Sequence, residues 1–440
     1  MTDHKRYFYG LLAAYIAYYL PADARVAEVA PQSGRLRKAL GGRRVLVVQP
    51  LRPEEFLETD VVTFSDLRRE PPDRLILNGC LHFSADIEEL LTAVRSVCSA
   101  DTRLVLSSFS SLWKPLFGVA ARFGLADTGA TQNWLASSDI KNLLELTDFE
   151  LVTQSPRVLL PVYIPLLSAV VNRWIAPLPF FRLFALTTVA VARPKRHTRS
   201  GNPSVSVVVP ARNEKGNIET LVRRVPPMSP DDELIFVEGH SSDGTWEEIQ
   251  RVAAAHPESR IKAFRQTGRG KGDAVRLGFA QARGDVLMIL DADLSVPPEA
   301  LSKFYRALTG GVGDFVNGSR LVYPMERQAM RFANMLGNRF FALAFSFLLG
   351  QPLKDTLCGT KVLWRRDYEA IARDRAYFGE FDPFGDFDLL FGASRQGLRI
   401  VELPIRYHER VYGDTNIRRW AHGWILLRMT VFAARRMRFI

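Results

Sequence analysis

Two aspartates, Asp291 and Asp293, close the apolar run Val286-Leu-Met-Ile-Leu. On an extended chain positions i and i+2 point to the same side, so the two carboxylates face one way. Hard oxygens placed together suit Mg2+ or Mn2+, ions that take one or two carboxylates and complete their shell with the phosphates of a ligand. An acidic turn ahead of a helix after Pro297-Pro298 has the same composition, so this triplet decides nothing alone. Three other polar clusters accompany it. Pro210-Ala211-Arg-Asn213-Glu214 and Glu238-Gly-His-Ser-Ser-Asp243-Gly244-Thr245 bring acids that suit a ribose or the edge of a base. Gly268-Arg-Gly270-Lys271-Gly272-Asp273 is a glycine-rich loop whose amides and Lys271 suit a diphosphate. Each has a bland reading as loop or cap chemistry, Ser-Asp-Gly-Thr being a good helix start. Four in succession are hard to attribute to packing.

The clusters need a scaffold that brings them to one edge. Val205–Val209, Glu233–Val237, Ile261–Arg265 and Asp285–Leu290 read as strands, with helices near Gly216–Arg224, Thr245–Ala255 and Gly272–Ala282. Each strand runs out into one cluster, and ligands of open α/β sheets collect at the carboxyl ends of strands. The N-terminal half alternates similarly, with strands Val26–Ala30, Arg44–Val48, Leu75–Leu77, Leu104–Ser107 and Phe149–Gln154 and a helix over Ile87–Val97. That pattern predicts a parallel α/β sheet. Arg193–Pro203 is polar and rich in breakers, and reads as a linker. The expected fold class is α/β with two domains: residues 1–192, a basic linker at 193–203, residues 204–416, and a basic aromatic segment at 417–440.

From Ser204 to about Ile425 the chain resembles inverting glycosyltransferases of the GT-A fold, nearest to the dolichol- or polyprenol-phosphate mannose synthase type. Further matching segments are Gly318-Ser319-Arg320, Asp355-Thr-Leu-Cys-Gly359-Thr-Lys361, Phe387-Asp388-Leu389 and Arg410-Val-Tyr-Gly413-Asp-Thr415. The resemblance implies a nucleotide-diphospho-sugar donor, with Pro210, Ala211, Asn213, Glu214 and Glu238 around the nucleotide. Lys271, Asp273 and Asp291 would complete the donor site, and Asp291 and Asp293 would hold Mg2+ or Mn2+ on the diphosphate. Departures are Glu238 and Gly239 where Asp is common, Ser295 where Gln is common, and Asn416 where Lys is usual. Expelling a nucleoside diphosphate builds negative charge on the leaving phosphate, which a metal and basic side chains offset. An alcohol acceptor needs a base, for which Asp386 or Asp388 is the candidate. A phosphomonoester, with a second pKa near ~6, is already a nucleophile at neutral pH. Asp388 would then orient it, and Arg320 or Arg410 would hold its phosphate.

The opening of the N-terminal half, Arg25-Val-Ala-Glu28-Val-Ala-Pro-Gln-Ser-Gly34, and later Leu75-Ile-Leu-Asn78-Gly-Cys-Leu-His82 resemble class I S-adenosylmethionine-dependent methyltransferases with a Rossmann-like fold. Only Gly34 remains of the glycine-rich turn, and Gln49 stands where an acid on the cofactor ribose is expected. The expectation is a degenerate, scaffolding domain without S-adenosylmethionine activity.

The whole chain has 440 residues, 47% hydrophobic, and a formal charge of +11, which excludes fibrous and disordered classes. Arg193, Lys195, Arg196 and Arg199 carry four of those charges, and Arg418, Arg419, Arg428, Arg435, Arg436 and Arg438 six more, leaving +1 for the rest. This suggests two strips for an anionic membrane surface and no nucleic-acid partner. Cys80, Cys98 and Cys358 lack disulfide or zinc spacing, which suits a reducing compartment. Lys5-Arg6 followed by the uncharged Tyr7–Ala22 has a signal-peptide outline, but its five tyrosines favour a first helix. Glu326–Leu349, polar on one face and apolar throughout at Phe340–Leu349, suits a helix lying in a membrane interface or one packed on a sheet. Val158–Val191 suits a membrane or inter-domain surface, and the aromatic, arginine-dotted Trp420–Ile440 a lipid contact. Together these features predict a peripheral or monotopic enzyme on the cytoplasmic face of the membrane, moving a sugar to polyprenyl phosphate or another lipid-linked acceptor. The competing expectations are a transferase acting on polysaccharide or other hydroxyls beside an active methyltransferase, and a non-catalytic nucleotide-binding membrane adaptor.

Overall fold

Short runs of aliphatic residues without polar alternation can be buried on both faces only where helices cover both sides of a sheet. The central strands of both sheets are such runs. The computed structural model describes residues 3–50, 52–123, 133–196, 201–323, 332–379, 385–410, 412 and 419–440. The chain forms two units, Met1–Lys195 with Ala434–Ile440, and Arg196–Ala433.

The first unit holds β1 (Val26–Val29), β2 (Val45–Val48), β3 (Val61–Val62), β4 (Arg74–Asn78), β5 (Arg103–Phe109), β6 (Phe149–Arg157) and β7 (Thr187–Pro194). Their order is β3-β2-β1-β4-β5-β7-β6. β1 to β5 are parallel, and β7 is antiparallel to both its neighbours, setting Leu106 opposite Ala190 and Ser155 opposite Val189. The sheet is therefore mixed, not parallel throughout as the alternation suggests. β7 is buried along its whole length, and only its partners distinguish such a run from any other buried segment. Arg193 lies inside β7, fully buried, with Nε and Nη2 donating to Glu150 Oε2 at 2.9 and 2.7 Å. A linker charge is thus an internal ion pair.

The second unit holds β8 (Val205–Ala211), β9 (Glu233–Glu238), β10 (Ile261–Arg265), β11 (Val286–Ile289), β12 (Phe315–Ser319), β13 (Lys361–Trp364) and β14 (Ile400–Pro404). They stand in the order β10-β9-β8-β11-β13-β12-β14, with β13 antiparallel to β11 and β12. Val207, Val209, Phe236, Met288, Phe304 and Trp364 belong to the core beside this sheet. The helix Lys271–Gln281 lies so close to the sheet that a β-carbon on Gly278 would overlap the Val208 side chain. That fit sets how closely the helix lies on the sheet, with Lys271 as its first residue. Arg196, another linker charge, pairs with buried Asp314 at 2.9 Å.

Among the described residues no helix is long and apolar enough to cross a membrane. The helix Phe332–Leu349 buries Phe341, Phe345, Leu348 and Leu349, with Phe345 against Phe387 and Phe391, while Leu336, Phe340 and Leu343 stay exposed. Its apolar end is half core, not a tip free on all sides. The helix Arg419–Met437 buries Leu426, Met429, Ala433 and Met437. Beyond it Arg438 is buried, with Nη1 donating to Ser155 Oγ at 2.6 Å, so it is not a lipid-facing arginine.

Candidate active site

β8 and β11 are neighbours in the second sheet, although β9 and β10 intervene in sequence on the other side of β8. The crevice at this reversal of strand order is where open α/β sheets bind ligands. Asp291 and Asp293 follow β11 there. Lys271 Nζ, at the start of its helix, meets Asp291 Oδ1 at 2.5 Å. Arg410 Nη2 meets Asp293 Oδ2 at 2.9 Å. Asp293 Oδ1 accepts from Ser295 N at 3.0 Å and Ser295 Oγ at 2.6 Å, a turn that holds the carboxylate in place. Ile405 N donates to Ser319 O and His408 N to Ser295 O, at 3.0 and 2.9 Å, and these bonds lead the chain to Arg410. Gly359 passes over the first pair, and a β-carbon there would overlap both Asp291 Oδ2 and Lys271 Nζ.

Burial opposes ionisation of Asp291, but Lys271, with Lys361 and Arg320 beyond it, holds the carboxyl below its usual range. Glu214 behaves oppositely. Burial, reinforced by Asp293 and Asp291, pushes its carboxyl up to about 7 against the bond from Asn217 Nδ2 and the charge of Arg410. Two aspartates form the donor set, and among the described residues no cluster of three acids, imidazoles or thiols could cage a metal ion. That set fits an ion bound by one or two side chains and completed by phosphate oxygens. The cation already beside each carboxylate marks a place that demands positive charge.

The residues expected around a nucleotide are braced across strand ends. Asn213 and His240 are both left-handed, at φ +56° and +60°. Ser242 N donates to Asn213 Oδ1 at 2.9 Å, Asn213 N to Ser241 Oγ at 3.0 Å, and Ser241 N to Glu238 Oε1 at 2.5 Å. These bonds join the loops after β8 and β9. Pro210 is half-buried near the end of β8, and Ala211, its last residue, is core, with its carbonyl accepting from Gly239 N. Asp273 lies against its own loop, its carboxylate 2.5 Å from where a β-carbon on Gly268 would stand.

The residues expected to meet the acceptor are more heavily engaged than their motifs suggest. Arg320 donates to Asp355 through N, Nε and Nη2 at 3.0, 2.7 and 2.9 Å, and its guanidinium lies over Tyr407. Asp388 accepts from Arg375 Nε at 2.9 Å, while Asp386 accepts from fully buried Lys361 Nζ at 2.7 Å. Asp386 also adds to the field at Lys271, so it shares the electrostatics of the Asp291 locus. Asp355, Lys361 and Arg375 had no assigned role from sequence, although two of them lie in a recognised motif segment. A lone Asp or Lys inside a motif does not reveal its partner. Val411 and Gly413 to Arg418, with Asn416, lie outside the described residues.

A model of glycosyl transferase family 2 matches residues 206–371. The dolichol-phosphate mannosyltransferase of Pyrococcus furiosus is 29% identical over 221 residues, covering 49% of this chain and 59% of its own length. The undecaprenyl-phosphate mannosyltransferase of Micrococcus luteus is 30% identical over 224 residues, covering 48% of this chain and 87% of its own. Glucosyl-3-phosphoglycerate synthase from Mycobacterium tuberculosis aligns at a TM-score of 0.39 and 21% identity, covering 53% of this chain and 80% of its own. The chain therefore spans less than two thirds of the Pyrococcus relative and most of the Micrococcus one.

Proposed function

The chain belongs to glycosyl transferase family 2, and we propose that it moves a sugar from a nucleotide-diphospho-sugar to a polyprenyl phosphate at a membrane surface, with inversion and with a divalent metal. The observation that carries this reading is the Asp291–Asp293 pair with Lys271 on one carboxylate and Arg410 on the other. Asp291 and Asp293 would hold Mg2+ or Mn2+, which would supply Lewis-acid stabilisation of the leaving group. Lys271 and Arg410 are poised to exchange their carboxylate partners for phosphate oxygens and add to that stabilisation. Asn213, Glu214 and Glu238 form the wall suited to the nucleoside.

A phosphate acceptor arrives already ionised and needs no base. Asp386, anchored by Lys361, then acts through its charge at Lys271, and Arg320 and Arg410 are the cations offered to the acceptor phosphate. The mannosyltransferase relatives act on dolichol or undecaprenyl phosphate by name, which supports this acceptor class. The first unit is proposed to be a degenerate methyltransferase-like scaffold. Its Glu28, at the corresponding switch point between β1 and β4, is fully buried, and burial pushes the carboxyl up to about 8. A neutral carboxyl enclosed in the core is not presented to a bound cofactor.

The test is a panel of nucleotide sugars with Mn2+, with and without polyprenyl phosphate, using Asp293→Ala as control. The expected outcome is metal-dependent turnover of one donor, raised by polyprenyl phosphate and lowered at least ~100-fold in the variant. No metal-dependent turnover of any donor sinks the proposal.

A further inference from the structure

Residues 158–186, which connect β6 to β7 in the first unit, turn most of their large apolar side chains outward while burying two polar ones. Two polar side chains, Ser168 and Asn172, are fully buried here, beside the apolar Val158, Ala176, Ala185 and Leu186. Ser168 Oγ accepts from Ile164 N at 2.8 Å and donates to Val162 O at 2.7 Å. Asn172 Oδ1 accepts from Leu159 N and Leu160 N at 2.8 and 2.9 Å, and its Nδ2 donates to Leu160 O and Tyr7 Oη at 2.6 and 3.1 Å. Both residues are 0% exposed. The outward side chains are apolar: Leu166, 85% exposed, with Val170, Trp174, Phe180, Leu183 and Phe184. A water-facing connection is built the other way round.

Backbone strain is spent on the same display. Leu166 has φ +63° and ψ −49°, a classic γ-turn closed by Leu167 N donating to Pro165 O at 2.7 Å. The turn puts a leucine at its tip. A second apolar element adjoins it, since Trp113 Nε1 donates to Phe184 O at 2.9 Å and Ser110 N to Leu186 O at 2.8 Å. Trp113 leads into the helix Lys114–Arg122, where Leu116 and Val119 are exposed. Of the twenty-seven large apolar side chains exposed among the described residues, fifteen lie in 112–123 and 163–184. So dense a patch exceeds the scattered apolar exposure of an ordinary surface and marks an interaction site.

Charge identifies the partner. No acid occurs between Glu150 and Glu214 or between Asp101 and Asp127, whereas Arg173, Arg182, Lys114 and Arg122 accompany the apolar side chains. The Arg173 guanidinium lies 5.7 Å from the Trp174 ring centroid, the pairing of an aromatic body with a cation that suits a headgroup boundary. We infer that this face of the first unit inserts into the headgroup region of an anionic lipid bilayer. Leu166 and Leu183 enter the acyl boundary, and the four cations meet lipid phosphates. The inference stands on the first unit alone and is independent of the acceptor that the second unit uses.

The test is flotation of the full chain with vesicles of phosphatidylcholine, with and without phosphatidylglycerol. A double variant, Leu166→Asp with Leu183→Asp, is compared in the same assay. The expected result is binding to the anionic vesicles that weakens with salt, and a partition coefficient at least about tenfold lower in the double variant. Donor hydrolysis in solution should be equal in both proteins, which separates this outcome from failure of the transferase reading. Should the double variant misfold, quenching by brominated lipid is read instead, and it should fall in Trp174→Phe relative to the parent. Undiminished binding by the double variant, no binding by the parent, or equal quenching in Trp174→Phe overturns the inference. So does a parent that dimerises through this face and ignores vesicles.

Discussion

At Gly359 the chain passes so close to the Asp291–Lys271 pair that any side chain would separate the two. Gly359→Ala should therefore lower donor turnover about 100-fold, the order expected when a reacting group is displaced by about 1 Å. Its melting temperature should stay within a few degrees of the parent, because the overlap meets side-chain ends and not core. Steady-state kinetics beside thermal unfolding checks this. Glu28 offers a second test at single-residue scale. Its carboxyl titrates at about 8 when folded, against an ordinary value of 4.5, because burial penalises the charged form. Between those values the folded state holds a proton that the unfolded state has released, so stability falls as pH rises from about 4.5 to about 8. Glu28→Gln should remove this dependence and gain on the order of 4 kcal/mol at pH 8. Urea unfolding of both proteins across that window reads the difference, and parallel curves would refute the assignment.

Between residues and fold, Asp355 is a junction of several elements. It accepts from Arg320, just beyond β12, and from Asn338 of the helix Phe332–Leu349 at 2.9 Å, while its own N–H donates to Glu402 of β14 at 2.9 Å. Burial opposes its ionisation, but Arg320 holds the carboxyl at about 2. Asp355→Ala leaves the Arg320 charge buried and unpaired, which should cost about 3–5 kcal/mol. Chemical denaturation should show the loss, and donor turnover should fall with it because Arg320 is no longer oriented. Arg320→Met with Asp355→Leu should recover stability and not turnover. The linker belongs to this scale as well. Its expected solvated strip contains Arg193 and Arg196, and both are spent on internal acids.

At the scale of the whole molecule, the last seven residues, Ala434–Ile440, belong to the first unit and not to the second, which precedes them in sequence. Arg157 donates to the carbonyls of Arg438 and Met437 at 3.0 Å each, and Trp174 packs on Phe439. Truncation after Ala433 should destabilise the first unit selectively. Hydrogen exchange should rise across β6 and β7 while the second unit keeps its protection. Equal loosening of both units would contradict this closure. Because the segment is structural, weakened vesicle binding after truncation would not by itself identify a lipid contact.

The sequence by itself determined the strands whose apolar runs are continuous and the clusters at their ends. β2, β8, β9 and β11 are legible because β-branched and aliphatic runs bounded by polar turns have few other solutions. Asp291, Asp293 and Lys271 are legible because their chemistry is local to a turn or loop. β12 and β13 are not legible. Asn317 in β12 and Lys361 in β13 are polar yet buried, and only distant partners, the Asp355 carbonyl and the Asp386 carboxylate, make their burial tolerable. Tertiary structure alone decided that Asp386 shares the field of Lys271, that Arg320 is held by Asp355, and that the segment after β6 turns its apolar side outward. The physical reason is the same in each case. A side chain's type fixes what it can bond, but burial and pairing across tens of residues decide which bond it makes.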